Sequence, residues 1–306
     1  MHHVTVLLNE IIEVIMPKDG GKYFDGTIGG GGHARTILDK SSPTGMLAGT
    51  DLDNDTIERL SSDLHQYGNR LHLFNQNFSE IDHVCLMLGW DQLDGIVLDL
   101  GLSSIQLDNP QRGFAFSKNG PLDMRFSTNG ELDANQVVNT YPQAELARII
   151  RIYGEERFAQ RIAGRIVRSR PVKNTTELAD LISAAIPRKY WPAKIHPATK
   201  TFQAIRMEVN REIQNLEKFL PKAASVLAPD GVMAIISFNS LEDRIVKRFF
   251  AGTSRIWVFP RGLPEPEDRQ SPIQPVYKKP IYPSQEEIAR NPRARSARLR
   301  AARRVQ

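Results

Sequence analysis

The first hundred residues alternate between two hydrophobic periods. Lys22–Asp25 is a short apolar run between Gly20-Gly21 and Gly26, and four glycines (Gly29, Gly30, Gly31, Gly32) lead from it into a helical segment carrying Ile37 and Leu38. Met46–Asp51 is a second strand-like run, ending on an acid. Ile57, Leu60 and Leu64 recur at spacings of three and four, which predicts an amphipathic helix over Asp55–Gln66. Leu71–Phe74 predicts a third strand. Leu93–Leu100 (LDGIVLDL) predicts a fourth, apolar on both faces as a buried parallel strand must be. Strand–helix–strand alternation with short connections predicts a parallel, doubly wound sheet.

From about Asp108 to Arg211 the strand pattern stops. Asn109–Asn129 is loop-like, and helices follow over Gln143–Tyr153, Glu155–Arg168 and Asn174–Ile186. In the second of these Phe158, Ile162 and Ile166 form an apolar stripe, while Arg157, Arg161, Arg165 and Arg168 fall on a separate face. Thr199–Leu220 reads as one long helix leading back to the sheet. The buried-strand pattern resumes at Gly231–Phe238 (GVMAIISF), and Ser240-Leu241-Glu242-Asp243 opens a helix with Ile245, Val246 and Phe249 inward. Arg255–Phe259 and Pro275–Tyr282 read as closing antiparallel strands, and Asn291–Arg304 as an arginine-rich tail on the surface. The expected fold is α/β: a Rossmann-like sheet made by residues 1–107 and 212–306, with a helical insertion over 108–211.

Composition narrows the class. With 306 residues, 41% hydrophobic and 25% charged, the chain matches a soluble globular protein. It has no apolar run of about 18 residues to span a membrane, and no basic segment before an apolar stretch to mark secretion. Cys85 is the single cysteine, so neither a disulfide framework nor a cysteine zinc site is available. His2, His3, His33, His65, His72, His83 and His196 show no H-E-x-x-H spacing, so no metal is expected. These features together point to the cytoplasm. The net charge of +5 is unevenly spread: 6 Lys/Arg face 15 Asp/Glu over residues 1–107, 17 face 11 over 108–212, and 7 face none over 290–306. A basic middle and end on an acidic start is what a polyanion-binding surface added to an enzyme would give.

Asp25-Gly26-Thr27-Ile28-Gly29-Gly30-Gly31-Gly32-His33 follows a strand and opens a helix. Such a turn brings free N–H groups to a ligand beside the positive helix N-terminus. Asp51, at the end of the next strand, can accept both hydroxyl protons of an adenosine ribose. The pair signals an adenosine-containing cofactor and leaves a dinucleotide and S-adenosylmethionine both open. Asp99-Leu100-Gly101-Leu102-Ser103-Ser104 sets an acid and a tight turn at the carboxyl end of the fourth strand, where open α/β sheets hold ligands. That acid can face the cationic end of S-adenosylmethionine or a substrate amine.

Longer stretches carry a more specific signal. They are H-V-T-V-L-L-N-E (3–10), D-G-T-I-G-G-G-G-H (25–33), L-D-L-G-L-S-S (98–104), R-G-F-A-F (112–116), G-P-L-D-M-R-F (120–126), Y-G-E-E-R-F-A-Q-R-I-A (153–163), H-P-A-T-K-T-F-Q-A-I-R (196–206), S-L-E-D-R-I-V-K-R-F (240–249) and N-P-R-A-R-S-A-R-L-R (291–300). In this order, across nearly the whole chain, they resemble the bacterial small-subunit ribosomal RNA cytidine-N4 methyltransferases, the RsmH or MraW family. The resemblance implies S-adenosylmethionine as methyl donor and a cytidine amine in the decoding region of 16S ribosomal RNA as acceptor. It carries cofactor contacts to Gly31, Gly32, His33, Asp51, Phe78, Asp99 and Gln106.

The candidates for orienting the amine are Asp99, Ser103 and Asn239, all at carboxyl ends of strands. Arg157, Arg161, Arg165 and Arg168, with Arg293 and Arg295 in the tail, are the candidates for RNA phosphates, and a homodimer is compatible with the sequence. Two positions depart from the family pattern. Ile105 stands where Ser-Pro-Gln is usual, and Asn239 where Ser-Phe-His-Ser is usual. Asn239 can hold a base edge by hydrogen bonds but cannot titrate. The rival readings are an amino-methyltransferase acting on DNA or another RNA, an NAD-dependent oxidoreductase, and a non-catalytic ribosome-assembly factor. The Pro-Pro-aromatic signature usual for the first of these is replaced by Gly101-Leu102-Ser103.

Overall fold

The computed structural model describes residues 5–252 and 271–305, with the side chains of residues 104 and 105 outside that description. The expected strand at Arg255–Phe259, the departure at Ile105, and His2 and His3 therefore lie outside the described residues. The chain divides into two compact units, Met1–Gly101 with Ile213–Gln306, and Leu102–Glu212. The first junction falls six residues before the boundary that the hydrophobic pattern suggests, so Ser103 and Gln106 belong to the second unit.

The first unit is built on seven strands: β1 (Lys22–Asp25), β2 (Met46–Thr50), β3 (Leu71–Phe74), β4 (Leu93–Asp99), β5 (Leu227–Ser237), β6 (Ile273–Pro275) and β7 (Arg298–Arg304). Their order in the sheet is β3-β2-β1-β4-β5-β7-β6. The pairings from β3 through β5 are parallel, with Asp25 beside Val97 and Asp99 beside Ile236. β7 runs antiparallel to both β5 and β6. Alternate residues of β4 serve opposite faces. Ile96 and Leu98 enter a core with Phe219, Leu220 and Phe249, whereas Val97 enters one with Ile11, Ile37 and Leu38. Both faces are covered, which is why β4 shows no polar alternation in the sequence.

The C-terminal arginine-rich segment is not a surface tail. Leu299, Ala301 and Ala302 are buried, and the strand fills a place inside the sheet, between β5 and β6. Its arginines reach the sheet's margins: Arg300 Nε is 2.7 Å from Asp243 Oδ1, and an Arg304 guanidinium N–H donates to the Ser225 carbonyl at 3.0 Å. Leu299 and Ala301 enter one core and the adjacent Ala302 the other, while the long arginine stems carry their charged ends to polar partners at the margins.

The second unit is helical, with helices Ala134–Thr140, Gln143–Ile152, Ala159–Arg168, Thr175–Ala185 and Thr199–Val209. The long helix expected over Thr199–Leu220 is two, because Arg211 sits at φ 50 and breaks it before Glu212–Val226. Glu155, at φ 48, likewise delays the start of the arginine-bearing helix to Ala159. A polar segment before these helices is pinned both from beyond the last of them and by an ion pair of its own. The Asn210 side chain accepts from Phe126 N–H at 2.7 Å and donates to the Met124 carbonyl at 2.8 Å, and Arg125 pairs with Asp123 at 2.7 Å.

Candidate active site

The carboxyl ends of β1, β2, β4 and β5 converge where the strand order reverses between β1 and β4, the switch point at which open α/β sheets bind ligands. The loop after β1 is tied to both neighbours. Gly26 N–H donates to the Val97 carbonyl at 2.9 Å, Thr50 Oγ1 donates to the Gly26 carbonyl at 2.9 Å, and Asp99 N–H donates to Thr27 Oγ1 at 2.6 Å. Gly31, at φ 75, caps the helix Gly32–Lys40 without any side-chain hydrogen bond. A Cβ on Gly32 would stand 1.8 Å from Thr5 Oγ1. The loop thus presents backbone to the mouth of the site, with the first turn of a helix behind it.

Asp51 lies beside this loop, accepting from Gly29 N–H at 3.1 Å and from Asp53 N–H at 2.9 Å. Two carboxylate oxygens have lone pairs to spare for a vicinal diol. Phe78 Cβ lies 2.9 Å from where a Cβ on Gly26 would stand, and its ring packs edge-on to Phe219 at 5.3 Å. The His33 ring is buried, with Nε2 3.0 Å from the Val6 carbonyl, so its side chain braces the N-terminal segment and it is the backbone that opens the helix.

Three carboxyls here are held away from their ordinary values. Burial pushes Asp25 up to about 7, Asp51 up to about 6 and Asp99 up to about 8. For Asp99 the nearby charges of Asp25 and Glu242 add to the burial. Asp99 Oδ1 is buried without a hydrogen-bond partner, while Glu242, 2% exposed, accepts from Phe238 N–H at 3.2 Å. A buried acceptor left open beside two further acids is a site prepared for a cation or an N–H donor. Asp25 and Glu242 received no role from sequence reasoning. Asp25 begins the glycine motif and Glu242 sits in a capping pattern, and only the strand order brings them to Asp99.

Asn239 caps the helix Ser240–Phe250, its side-chain oxygen accepting from Leu241 N–H at 3.1 Å and Glu242 N–H at 3.0 Å. Ser103 and Gln106, in the second unit, bond reciprocally. Gln106 N–H donates to Ser103 Oγ at 3.2 Å and Ser103 N–H to Gln106 Oε1 at 3.3 Å, a capping box. The structure therefore groups Gly31, Gly32, His33, Asp51, Phe78, Asp99 and Asn239 in the first unit. It joins Ser103 to Gln106 in the other.

Among the phosphate candidates, Arg161, Arg165 and Arg168 are exposed along the helix Ala159–Arg168. Arg157 precedes that helix, its guanidinium 4.3 Å from the Tyr190 ring centre. Arg293 and Arg295 are exposed on the turn that leads into β7, in the first unit.

The profile of the MraW methylase family matches residues 1–305. The chain belongs to that family. Among curated relatives, the "Ribosomal RNA small subunit methyltransferase H" of Syntrophotalea carbinolica is 45% identical, covering 99% of this chain and 98% of its own. The protein of the same name from Heliobacterium modesticaldum is 46% identical with 99% of both chains covered. That from Geobacter sulfurreducens is 46% identical with 98% of both covered. Membership spans both units, so the helical insertion belongs to the family as much as the sheet does.

The residues at the switch point fit the donor that a methylase requires. The glycine loop leaves room for backbone approach, Asp51 offers acceptors for a ribose, and Asp99 Oδ1 is an acceptor with no hydrogen-bond partner among the described residues. Among the described residues no helix is long and apolar enough to cross a membrane.

Proposed function

We propose that this chain transfers the methyl group of S-adenosylmethionine to the N4 amine of a cytidine in 16S ribosomal RNA. The observation that carries the reading is the buried, unpartnered Asp99 Oδ1 at the switch point of a MraW-family sheet. When bound, S-adenosylmethionine supplies a methyl on a sulfonium, whose positive charge disappears on transfer.

The chain's part is to bind and to align. The Gly31 N–H closes the turn on the Ile28 carbonyl, which leaves the backbone N–H groups of Gly32 and His33, the remaining backbone of Gly31 and the Asp51 carboxylate to hold the adenosine end, with Phe78 against it. Asp25, Asp99 and Glu242 set a negative field that favours a cation over a neutral ligand. A cation in front of Asp99 in turn favours its ionised form. A cytosine amine is a weak nucleophile because its lone pair is delocalised into the ring. Acceptors that hold its N–H groups turn that lone pair toward the methyl, and good alignment is worth about 7–11 kcal/mol of a barrier in favourable cases. The open Asp99 Oδ1 supports Asp99 as such an acceptor, and the Asn239 amide nitrogen remains to contact the base edge while its oxygen caps the helix. For Ser103 and Gln106 the assignment rests on the family pattern alone.

Taking the base out of its stack costs a few kcal/mol unless the RNA is already open, so the enzyme must also grip its substrate. Residues 108–211, with the exposed Arg161, Arg165 and Arg168, are assigned to that grip, joined by Arg157, Arg293 and Arg295. The same reading places the reaction in the cytoplasm, on RNA within the small ribosomal subunit, and is compatible with a homodimer. Transfer of tritium from labelled S-adenosylmethionine to unmodified small subunits, with free ribosomal RNA and DNA in parallel, tests it. Label mapped to a cytidine amine is expected. Label in DNA alone, or none despite cofactor binding, overturns it.

A further inference from the structure

The second unit carries an exposed feature that the phosphate-binding helix does not account for. Residues 188–196 are all exposed, in sequence from Arg188 to His196, and they include Tyr190 at 43% and Trp191 at 38%. Large rings in such a position are normally turned inward. Here each is paired with cations: Arg157 lies 4.3 Å and Lys189 5.1 Å from the Tyr190 ring centre, and Arg188 lies 5.6 Å from that of Trp191. Phe158 flanks the group, its ring centre 5.4 Å from that of Tyr190 and 4.8 Å from the Arg157 guanidinium.

The local charge is one-sided. No acidic residue stands between Asp180 and Glu208. Of the two acids before Arg157, Glu155 is exposed, whereas Glu156 is buried and accepts from Phe158 N–H at 2.9 Å, so one exposed acid faces the cations Arg157, Arg188, Lys189 and Lys194. Trp191 is held at its edge, Nε1–H donating to the Ile186 carbonyl at 2.9 Å, so the ring has a set orientation. Oriented aromatic rings interleaved with guanidinium and ammonium groups are what unpaired nucleotides bind to: bases stack on rings and on arginine planes while lysine and arginine take the phosphates. A protein partner would call for acids or an apolar socket to complement. A duplex would offer phosphates but no free base face.

We propose that Tyr190 and Trp191, with Arg157, Arg188 and Lys189, form a stacking platform for unpaired nucleotides of the RNA substrate. This rests on RNA being the substrate. It adds base stacking to the phosphate binding assigned to the helix Ala159–Arg168. It also gives the enzyme a way to hold a single strand open.

The test is binding of an unstructured pyrimidine decaribonucleotide and of an RNA duplex of the same length, by fluorescence anisotropy, to wild type and variants. Trp191→Ala and Tyr190→Ala are each expected to weaken the single strand about tenfold, with little change for the duplex, while Trp191→Phe and Tyr190→Phe stay near wild type. Deleting a ring leaves the salt dependence unchanged. Arg188→Ala with Lys189→Ala lowers the log–log salt slope by about 0.7 for every phosphate that is no longer neutralised. Because Tyr190 also clamps Arg157 and Phe158, its alanine variant can loosen the unit. A 5-iodouridine decamer photocrosslinked to the wild-type protein therefore provides an independent reading, with the adduct expected on Tyr190 or Trp191.

Wild-type affinity in Trp191→Ala, equal losses for strand and duplex, or crosslinks confined to other residues overturn the platform. Methyl transfer is assayed separately on small subunits. Transfer to RNA with no platform crosslink sinks this inference alone. A platform crosslink with no transfer to any RNA sinks the proposed reaction and leaves the platform standing.

Discussion

The two units treat charge in opposite ways. At the mouth of the sheet unit the charges are few, acidic and buried: Asp25 and Glu242 are 1% and 2% exposed, and Asp99 keeps an oxygen sealed from water with no partner. On the helical unit Arg161, Arg165 and Arg168 stand in solvent on one face. Buried charges act through a low dielectric on whatever sits beside them, so each one matters singly. Exposed ones are screened within about a Debye length of roughly 8–10 Å, so they act together and more weakly as ionic strength rises. The proposed reaction asks the sheet unit to discriminate one small cation and the helical unit to attract a large polyanion.

The comparison breaks most readily at Asp99. Asp99→Asn keeps the shape and removes the charge. It is expected to lower single-turnover methyl transfer about 100-fold, the order expected for loss of a charged hydrogen-bond acceptor in a buried site. Activity within a few-fold of wild type would remove Asp99 from the site.

Next comes the glycine loop. Gly32→Ala must push Thr5 aside, because its Cβ would stand 1.8 Å from Thr5 Oγ1. A stability loss of about 1–3 kcal/mol in denaturant titrations, as for overpacked cores, is expected together with weakened cofactor binding. Adding Thr5→Gly should restore most of the stability, and an unrescued double variant would mean that the clash is elsewhere.

The acids also set a pH dependence. With Asp51, Asp25 and Asp99 held at about 6, about 7 and about 8, the folded protein keeps protons that the unfolded chain releases from about pH 4 upward. Their contribution to stability is full below about pH 4 and is lost progressively as the pH climbs to those folded values. Binding a cationic cofactor favours the ionised forms. Affinity should therefore tighten from pH 6 to 8, with proton release visible by calorimetry in buffers of different ionisation enthalpy. A pH-independent affinity without proton release would show that the acids do not face the cation.

The helical unit answers differently. Replacing Arg161, Arg165 and Arg168 together by Ala should weaken all RNAs alike and lower the salt slope by about 0.7–0.9 for each phosphate left without its arginine. An unchanged slope would make these arginines merely solvated. At Asn239 the stability effect is the smallest: Asn239→Ala loses a helix cap worth about 1 kcal/mol, read from thermal unfolding, and through the lost base contact its turnover should fall further than that destabilisation explains. Turnover that follows stability alone would remove its amide nitrogen from the cytidine.

Much of the sheet unit was legible because strand and helix periods are local. β1 and β3 fall where the pattern puts them, and β2 and β4 each stop one residue short of the expected end. The break at Arg211 was not legible, since a left-handed arginine leaves no mark on the hydrophobic pattern. Nor was β7: an arginine-rich segment looks like a solvated tail until Leu299, Ala301 and Ala302 are seen packing into the cores on the sheet's two faces. Within the site, Asp51 and Asp99 stood out as acids at strand ends, whereas Glu242 was hidden in a capping sequence.

The sequence by itself determined that a glycine-looped parallel sheet carries a helical insertion, and that acids cluster early in the chain and arginines late. Those properties follow from residue periodicity and local turn chemistry, which need no distant partner. The tertiary structure decided what sequence distance conceals. The order β3-β2-β1-β4-β5 brings Asp25, Asp99 and Glu242 from three separate segments into one low-dielectric corner. It places Asn239 as a cap, and it turns an apparent tail into a strand. Charge coupling and burial depend on separation in space, so only the packed sheet could set them.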